Sequence, residues 1–180
     1  MDRPTPDGPT PLDAAAATAA GIGPLLARHA DLKPTQFRGQ TRVVVPREAI
    51  FGALELLKDQ CRFDMLVDIT CVDYLSYRGA TDRFGLVYLL AGTETNQRLT
   101  VRTFLNEPDL SVPTAVPLWE AANWLEREVW DMFGIRFAGH PDLRRILLPE
   151  EFTAFPLRKD YPLQGRGERH NFPVLARDSA

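Results

Sequence analysis

Cysteine is scarce in this chain. Only Cys61 and Cys71 occur among 180 residues. Ten positions apart, they make no CxxC pair, no disulfide framework and no zinc set. The three histidines, His29, His140 and His170, are scattered. Long apolar runs are missing as well. The longest uncharged stretch, residues 14–27, is broken by Gly21, Gly23 and Pro24, which excludes a bilayer-spanning helix there. Asp2, Asp7 and Asp13 outweigh Arg3, the wrong sign for a secretory signal. Positive charge is not in excess: 21 basic against 24 acidic side chains give a formal net charge of -3, so there is no global pull toward nucleic acid. No GxSxG, HExxH, P-loop or strand-borne GxGxxG occurs. Gly165-Arg166-Gly167 is a lone GxG, a weak signal for anion binding. What is present is ordinary globular composition, 44% hydrophobic and 25% charged. That predicts one soluble, intracellular domain, large enough to bury a core without covalent staples.

The ends differ from the middle. Residues 1–12 hold four prolines and read as a disordered leader. Residues 13–134 read as the core domain. Asp13 suits the cap of an Ala-rich helix that Gly21 and Pro24 interrupt. Two short strands are expected around Gly39-Gln40, and Ile50, Ala53, Leu54 and Leu57 mark an amphipathic helix. Three strands follow. In the first, Met65, Val67, Ile69 and Cys71 alternate with polar neighbours and Leu66. Residues 84–90 are almost continuously apolar. Leu99, Val101, Thr103 and Leu105 alternate again. A helix is expected from about Pro117 to Phe133, stopped by Gly134. The order α-β-β-α-β-β-β-α predicts an α+β fold with one mixed sheet. Residues 135–180 read as an extended, Pro-rich basic tail, with 8 basic against 6 acidic side chains.

The densest chemistry lies at the end of the last helix. On a helical wheel, Leu118, Ala121, Ala122, Leu125, Val129 and Met132 share one stripe, which predicts the face packed on the sheet. Glu126 falls beside that stripe among Trp119, Trp130 and Phe133. A carboxylate among aromatics needs a cation or donors, or its pKa rises. The expectation is an ion pair with Arg136, Arg144 or Arg145. Arg127 and Asp131 fall on the opposite face, spaced for a surface pair, and Glu128 flanks Trp124. In the tail, Arg144, Arg145, Arg158 and Lys159 alternate with Leu, Phe and Tyr. Such a segment must be covered by its own domain or by a partner, and the expectation is a partner surface from about Ala138 to Leu163.

The run Glu126-Arg127-Glu128-Val129-Trp130-Asp131-Met132-Phe133-Gly134 resembles the family of the C subunit of NADH-quinone oxidoreductase, the thirty-kilodalton-type subunit of respiratory complex I. The resemblance extends through Gly139-His140-Pro141-Asp142-Leu143-Arg144-Arg145-Ile146-Leu147 and Pro156-Leu157-Arg158-Lys159-Asp160-Tyr161-Pro162-Leu163. It covers roughly residues 35–165. Phe155 departs from the pattern, since many members carry His there. The resemblance implies the family's α+β fold and a place in the hydrophilic arm, on the cytoplasmic side of the bacterial membrane. It implies contacts with the forty-nine-kilodalton-type D subunit and with iron-sulfur subunits. It implies no flavin, cluster, metal or quinone site in this subunit, although the complex carries electrons from NADH through FMN and iron-sulfur clusters to quinone and translocates protons. Glu126, Arg127, Glu128, Asp131, Gly134, His140, Pro141, Asp142, Arg144, Arg145, Arg158, Lys159 and Asp160 are then architectural and interface residues. Two alternatives stay open. One is the equivalent subunit of a membrane-bound hydrogenase or formate hydrogenlyase. The other is a stand-alone acid–base enzyme using Glu126, Glu128 or Asp131 with His140.

Overall fold

A computed structural model describes residues 9–167. The first eight residues of the expected leader, and residues 168–180 of the expected tail with His170, lie outside the described residues. The chain forms β1 (Thr10–Pro11), α1 (Ala14–Ala19), α2 (Gly23–Arg28), β2 (Thr35–Phe37), β3 (Gln40–Val44), α3 (Ile50–Asp59), β4 (Met65–Asp73), β5 (Phe84–Ala91), β6 (Arg98–Leu105), β7 (Ser111–Pro113), α4 (Ala122–Phe133) and β8 (Arg136–Ala138). The fold is α+β, with the expected mixed sheet. Six strands lie in the order β1-β2-β3-β6-β5-β4. β3 runs parallel to β6, and the other neighbours are antiparallel.

Local chemistry explains most of the element ends. The Asp13 carboxylate accepts from Ala16 N–H at 2.7 Å and caps α1. α1 ends before Gly21, and Pro24 sits in the first turn of α2, where its missing N–H costs nothing. Arg38 and Gly39 both take positive φ, 50° and 77°, as a two-residue hairpin between Phe37 and Gln40 requires.

Three expectations need correction. Thr10 and Pro11 pair with Gln36 and Thr35, so the end of the stretch read as a leader belongs to the sheet. The register of β4 on β5 shifts between Leu66 and Asp68. This bulge inverts the alternation locally, burying Leu66 while Met65 and Val67 are exposed; Ile69 and Cys71 resume the inward positions. Finally, regular structure does not stop at Gly134. β8 pairs in parallel with β7 as a second, two-stranded sheet.

The core lies between one face of the large sheet and the helices. Ile22, Leu25, Leu54, Leu57, Tyr88 and Leu99 are among its fully buried members. Both cysteines are buried and unpaired, and burial, with the Asp73 charge, pushes the Cys71 thiol up to about 12.

Candidate functional site

α4 carries the residues singled out from sequence, and it is covered on two sides. One side packs on β4 and the core. The other is roofed by the chain after Gly134, which returns over the helix. Buried positions on α4 therefore include Glu126, Arg127 and Asp131 as well as Val129, Met132 and Phe133.

Glu126 is completely buried. Its carboxylate accepts from the Thr114 hydroxyl at 2.5 Å and from Ala115 N–H at 2.6 Å. No arginine reaches it among the described residues, which overturns the expected ion pair with Arg136, Arg144 or Arg145. Burial raises its pKa to about 7, and the two hydrogen bonds oppose that rise only in part.

Asp131 occupies the place expected for Glu126. It too is completely buried, where a surface pair with Arg127 was expected. One carboxylate oxygen accepts from Arg145 at 2.5 Å. The other accepts from three successive N–H groups, Ile146 at 3.1 Å, Leu147 at 2.8 Å and Leu148 at 2.9 Å. Burial alone would raise its pKa. The backbone N–H groups and Arg145 outweigh that effect, so the net direction is down. Arg127 turns instead to the backbone, donating to the carbonyls of Arg144 at 3.1 Å and Arg145 at 3.0 Å, with its guanidinium over Trp124. Arg145 lies against the rings of Trp130, Phe152 and Phe155. Glu128 points to solvent.

Gly134 ends α4 in the left-handed conformation, φ 78°. A Cβ there would stand 2.6 Å from the Phe155 ring and 2.8 Å from the Arg158 guanidinium. Glycine is required twice, for the conformation and for the approach of the tail. His140 uses both ring nitrogens. Nδ1 accepts from Asp142 N–H at 3.0 Å, and Nε2 donates to the Asn123 carbonyl at 3.1 Å. The imidazole therefore pins the chain after Pro141 to the start of α4 and has no nitrogen left for a base. Asp142 pairs with Arg144 at 2.8 Å on the surface.

A second knot holds the rest of the tail. Arg158 donates to the Phe133 carbonyl at 2.6 Å, closing the end of α4, and to Glu107 at 3.0 Å. The backbone N–H of Lys159 donates to buried Asp73 at 2.8 Å, and Asp160 pairs with Arg83 at 2.8 Å. Arg83 also reaches Glu107 and Asp73. Its bond to Asp160 is the main cause that lowers the Asp160 pKa. The sequence reading missed Asp73, Arg83 and Glu107. The signal for Asp73 was present: it continues the inward period of Ile69 and Cys71. The side chains of Arg145 and Arg158 are thus held by this chain's own acceptors, not by a partner's. Arg144 and Lys159 remain exposed.

Every carboxylate or imidazole buried at this site is satisfied by groups that hold chain segments together. Among the described residues, no three His, Cys, Asp or Glu side chains converge as a metal set. No helix among them is long and apolar enough to cross a membrane.

These features define a two-layer α+β domain whose ionisable groups clasp its own C-terminal segment. The chain belongs to the family described as respiratory-chain NADH dehydrogenase, 30 Kd subunit, whose family model matches residues 43–167. It is 49% identical over 136 residues to the C subunit of the NADH-quinone oxidoreductase of Trichlorobacter lovleyi, a match that spans 76% of this chain and 83% of that one. A trypsin-resistant fragment of Nqo5 is 39% identical, with a TM-score of 0.59 over 65% of this chain and 93% of the fragment. A chain of the membrane-bound sulfane sulfur reductase, an archaeal respiratory membrane complex, is 25% identical, with a TM-score of 0.70 over 93% of this chain and 96% of that one.

Proposed function

We propose that this chain is the thirty-kilodalton-type subunit of a NADH-quinone oxidoreductase, complex I, and that it serves there as a structural and assembly module. The activity belongs to the whole complex, which passes electrons from NADH through FMN and iron-sulfur clusters to quinone and translocates protons. This subunit holds none of those cofactors and has no active site. It sits on the cytoplasmic side of the membrane in the hydrophilic arm, against the forty-nine-kilodalton-type D subunit and iron-sulfur subunits.

One observation carries the non-catalytic reading. Two of the three acidic candidates, Asp131 and Glu126, are sealed by donors of the same chain, the third, Glu128, makes no hydrogen bond or ion pair among the described residues, and both nitrogens of His140 are occupied. A general acid or base needs a face open to its substrate. A second reading draws on the likeness to a chain of the sulfane sulfur reductase. In it, the same module serves a related membrane-bound redox complex, such as a hydrogenase or formate hydrogenlyase, and the subunits that co-purify with the chain decide.

The test is complementation of a strain lacking this gene with Asp131→Asn or His140→Gln. Assembly is read on native gels and NADH:quinone activity is measured per assembled complex. Activity that falls only in proportion to assembly supports the proposal. A fully assembled but inactive complex overturns it.

A further inference from the structure

The two faces of the large sheet differ in composition. Strand register assigns Arg42 and Val44 of β3, Arg98, Thr100, Arg102 and Phe104 of β6, Val87 and Leu89 of β5, and Thr70 and Val72 of β4 to the face away from the helices. A solvated sheet face normally alternates to polar side chains. Here Val44, Met65, Val67 and Val72 are each 39% exposed or more, with Tyr77 at 71% on the adjoining loop. None of them belongs to the helix-side core.

All but one of the charges that strand register places on this face are positive. Arg42, Arg98 and Arg102 make no ion pair among the described residues, whereas Arg83, Arg145 and Arg158 of the clasp are all paired. The Nε–H of Arg102 is buried and meets no acceptor among the described residues. Asp68 is the one acidic side chain of the described residues that register places with them.

The face also carries a built aromatic feature. Tyr74 and Phe104 meet at 6.3 Å across β5, and Tyr77 meets Tyr74 edge-on at 5.8 Å. Gly85 lies beneath them. A Cβ at that position would stand 2.8 Å from the Tyr74 ring and 3.2 Å from Phe104. A glycine in the middle of a strand weakens it, and this one makes room for the rings. Beside them a cleft of about 350 Å³ is lined by Tyr74, Tyr77, Phe104, Arg78, Arg102 and Asp82, whose carboxylate already accepts from Thr81 and Asn106. Arg, Tyr, Phe and Met are among the residues enriched in protein interfaces, and lysine, which is depleted there, is absent from the strand positions that face this side.

We infer that the open face of this sheet docks an acidic segment of a neighbouring protein subunit, with a carboxylate on Arg102 and an apolar or aromatic side chain against Tyr74 and Phe104. Charge selects the partner. A protein of formal net charge -3 presents unpaired arginines here, and carboxylates satisfy them with paired hydrogen bonds. This rests on the proposed role as a subunit and names the surface that role would use.

The experiment places a photo-crosslinking phenylalanine analogue at Val44 or at Val72 in the full chain, expressed in its own cells. The complex is purified and the crosslinked peptide is sequenced. If the unmodified chain does not co-purify with NADH-quinone oxidoreductase subunits, the subunit reading itself fails. If it does, both positions are expected to capture a carboxylate-containing peptide of another subunit. An assembled complex with no adduct from either position, an adduct to a peptide lacking carboxylates, or an adduct to RNA or lipid overturns the inference. In a second arm, Arg42→Glu with Arg98→Glu is expected to reduce assembly about tenfold, while the melting temperature of the isolated chain stays unchanged. Assembly at the unmodified level overturns the inference. If the melting temperature falls instead, the crosslinking arm alone decides.

Discussion

The clasp around α4 and the open sheet face solve opposite problems with the same residue types. In the clasp, Asp131 is completely buried, Arg145 beside it is mostly buried, and each oxygen of the carboxylate has its donors. On the sheet face, Arg42, Arg98 and Arg102 lie among exposed valines and make no ion pair among the described residues. Buried charge is costly unless it is paired and hydrogen-bonded, because desolvating it is expensive. Exposed charge keeps its water until something displaces it. The comparison teaches that the tail is part of the domain's own architecture. In the inference drawn above, the far side of the sheet is the surface offered for assembly.

The sharpest way to break this comparison is Asp131→Ala. It orphans the Arg145 guanidinium and three N–H groups at once. The expected loss is about 3–5 kcal/mol of unfolding free energy, measured by urea denaturation. A loss below about 1 kcal/mol would mean that the tail contributes little to the domain.

The next effect is a pH dependence. The folded pKa of Glu126, about 7, lies above its ordinary value of 4.5. The folded state therefore holds that proton more tightly than the unfolded chain. Its contribution is fully present below the unfolded value and is lost as pH rises through the folded value. Stability should fall by roughly 3 kcal/mol between those limits and then level off. Glu126→Gln should flatten that window, because the amide keeps both partners and cannot ionise. Asp131 works in the other direction: its lowered pKa adds stability above the ordinary carboxylate range that is lost as pH falls. Denaturation midpoints from pH 4 to pH 8 in the parent and the Gln variant separate the two.

Gly134→Ala tests the close approach of the tail. The left-handed conformation costs an L-residue about 1–2 kcal/mol, and the contact with Phe155 adds to it. Lower stability, with faster proteolysis in the region 140–160, is the expected result. The smallest effect belongs to the sheet face. Arg42→Ala or Val44→Thr should change the stability of the isolated chain by less than about 0.5 kcal/mol. A larger loss in thermal denaturation would show that this face stabilises the monomer itself.

Much of the fold was legible in the sequence, and the failures have a common cause. β2 to β6, α3 and the end of α4 followed from period and from turn chemistry. Gly39, Pro24 and Gly134 stood where their backbone freedom or constraint was needed. The strand β4 was placed correctly, but its faces were misassigned at its start, because a bulge between Leu66 and Asp68 leaves no mark on the residue pattern. β7 and β8 are three residues each, too short to show a period, and they exist because each completes the other.

The exchange of roles between Glu126 and Asp131 is the most instructive failure. A helical wheel assumes one buried face and one wet face. α4 has two covered faces, and the second cover is the chain from Arg144 to Arg158, well beyond the end of the helix. Sequence by itself determined the order of the main elements, the α+β class, the family and the charged residues of α4 and the tail, but not their partners Asp73, Arg83 and Glu107. Which carboxylate meets which arginine was decided only by tertiary structure. Ion pairing depends on the path of a tail that prolines keep from becoming helix, and that path is set by distant acceptors such as Asp73, Glu107 and the Phe133 carbonyl.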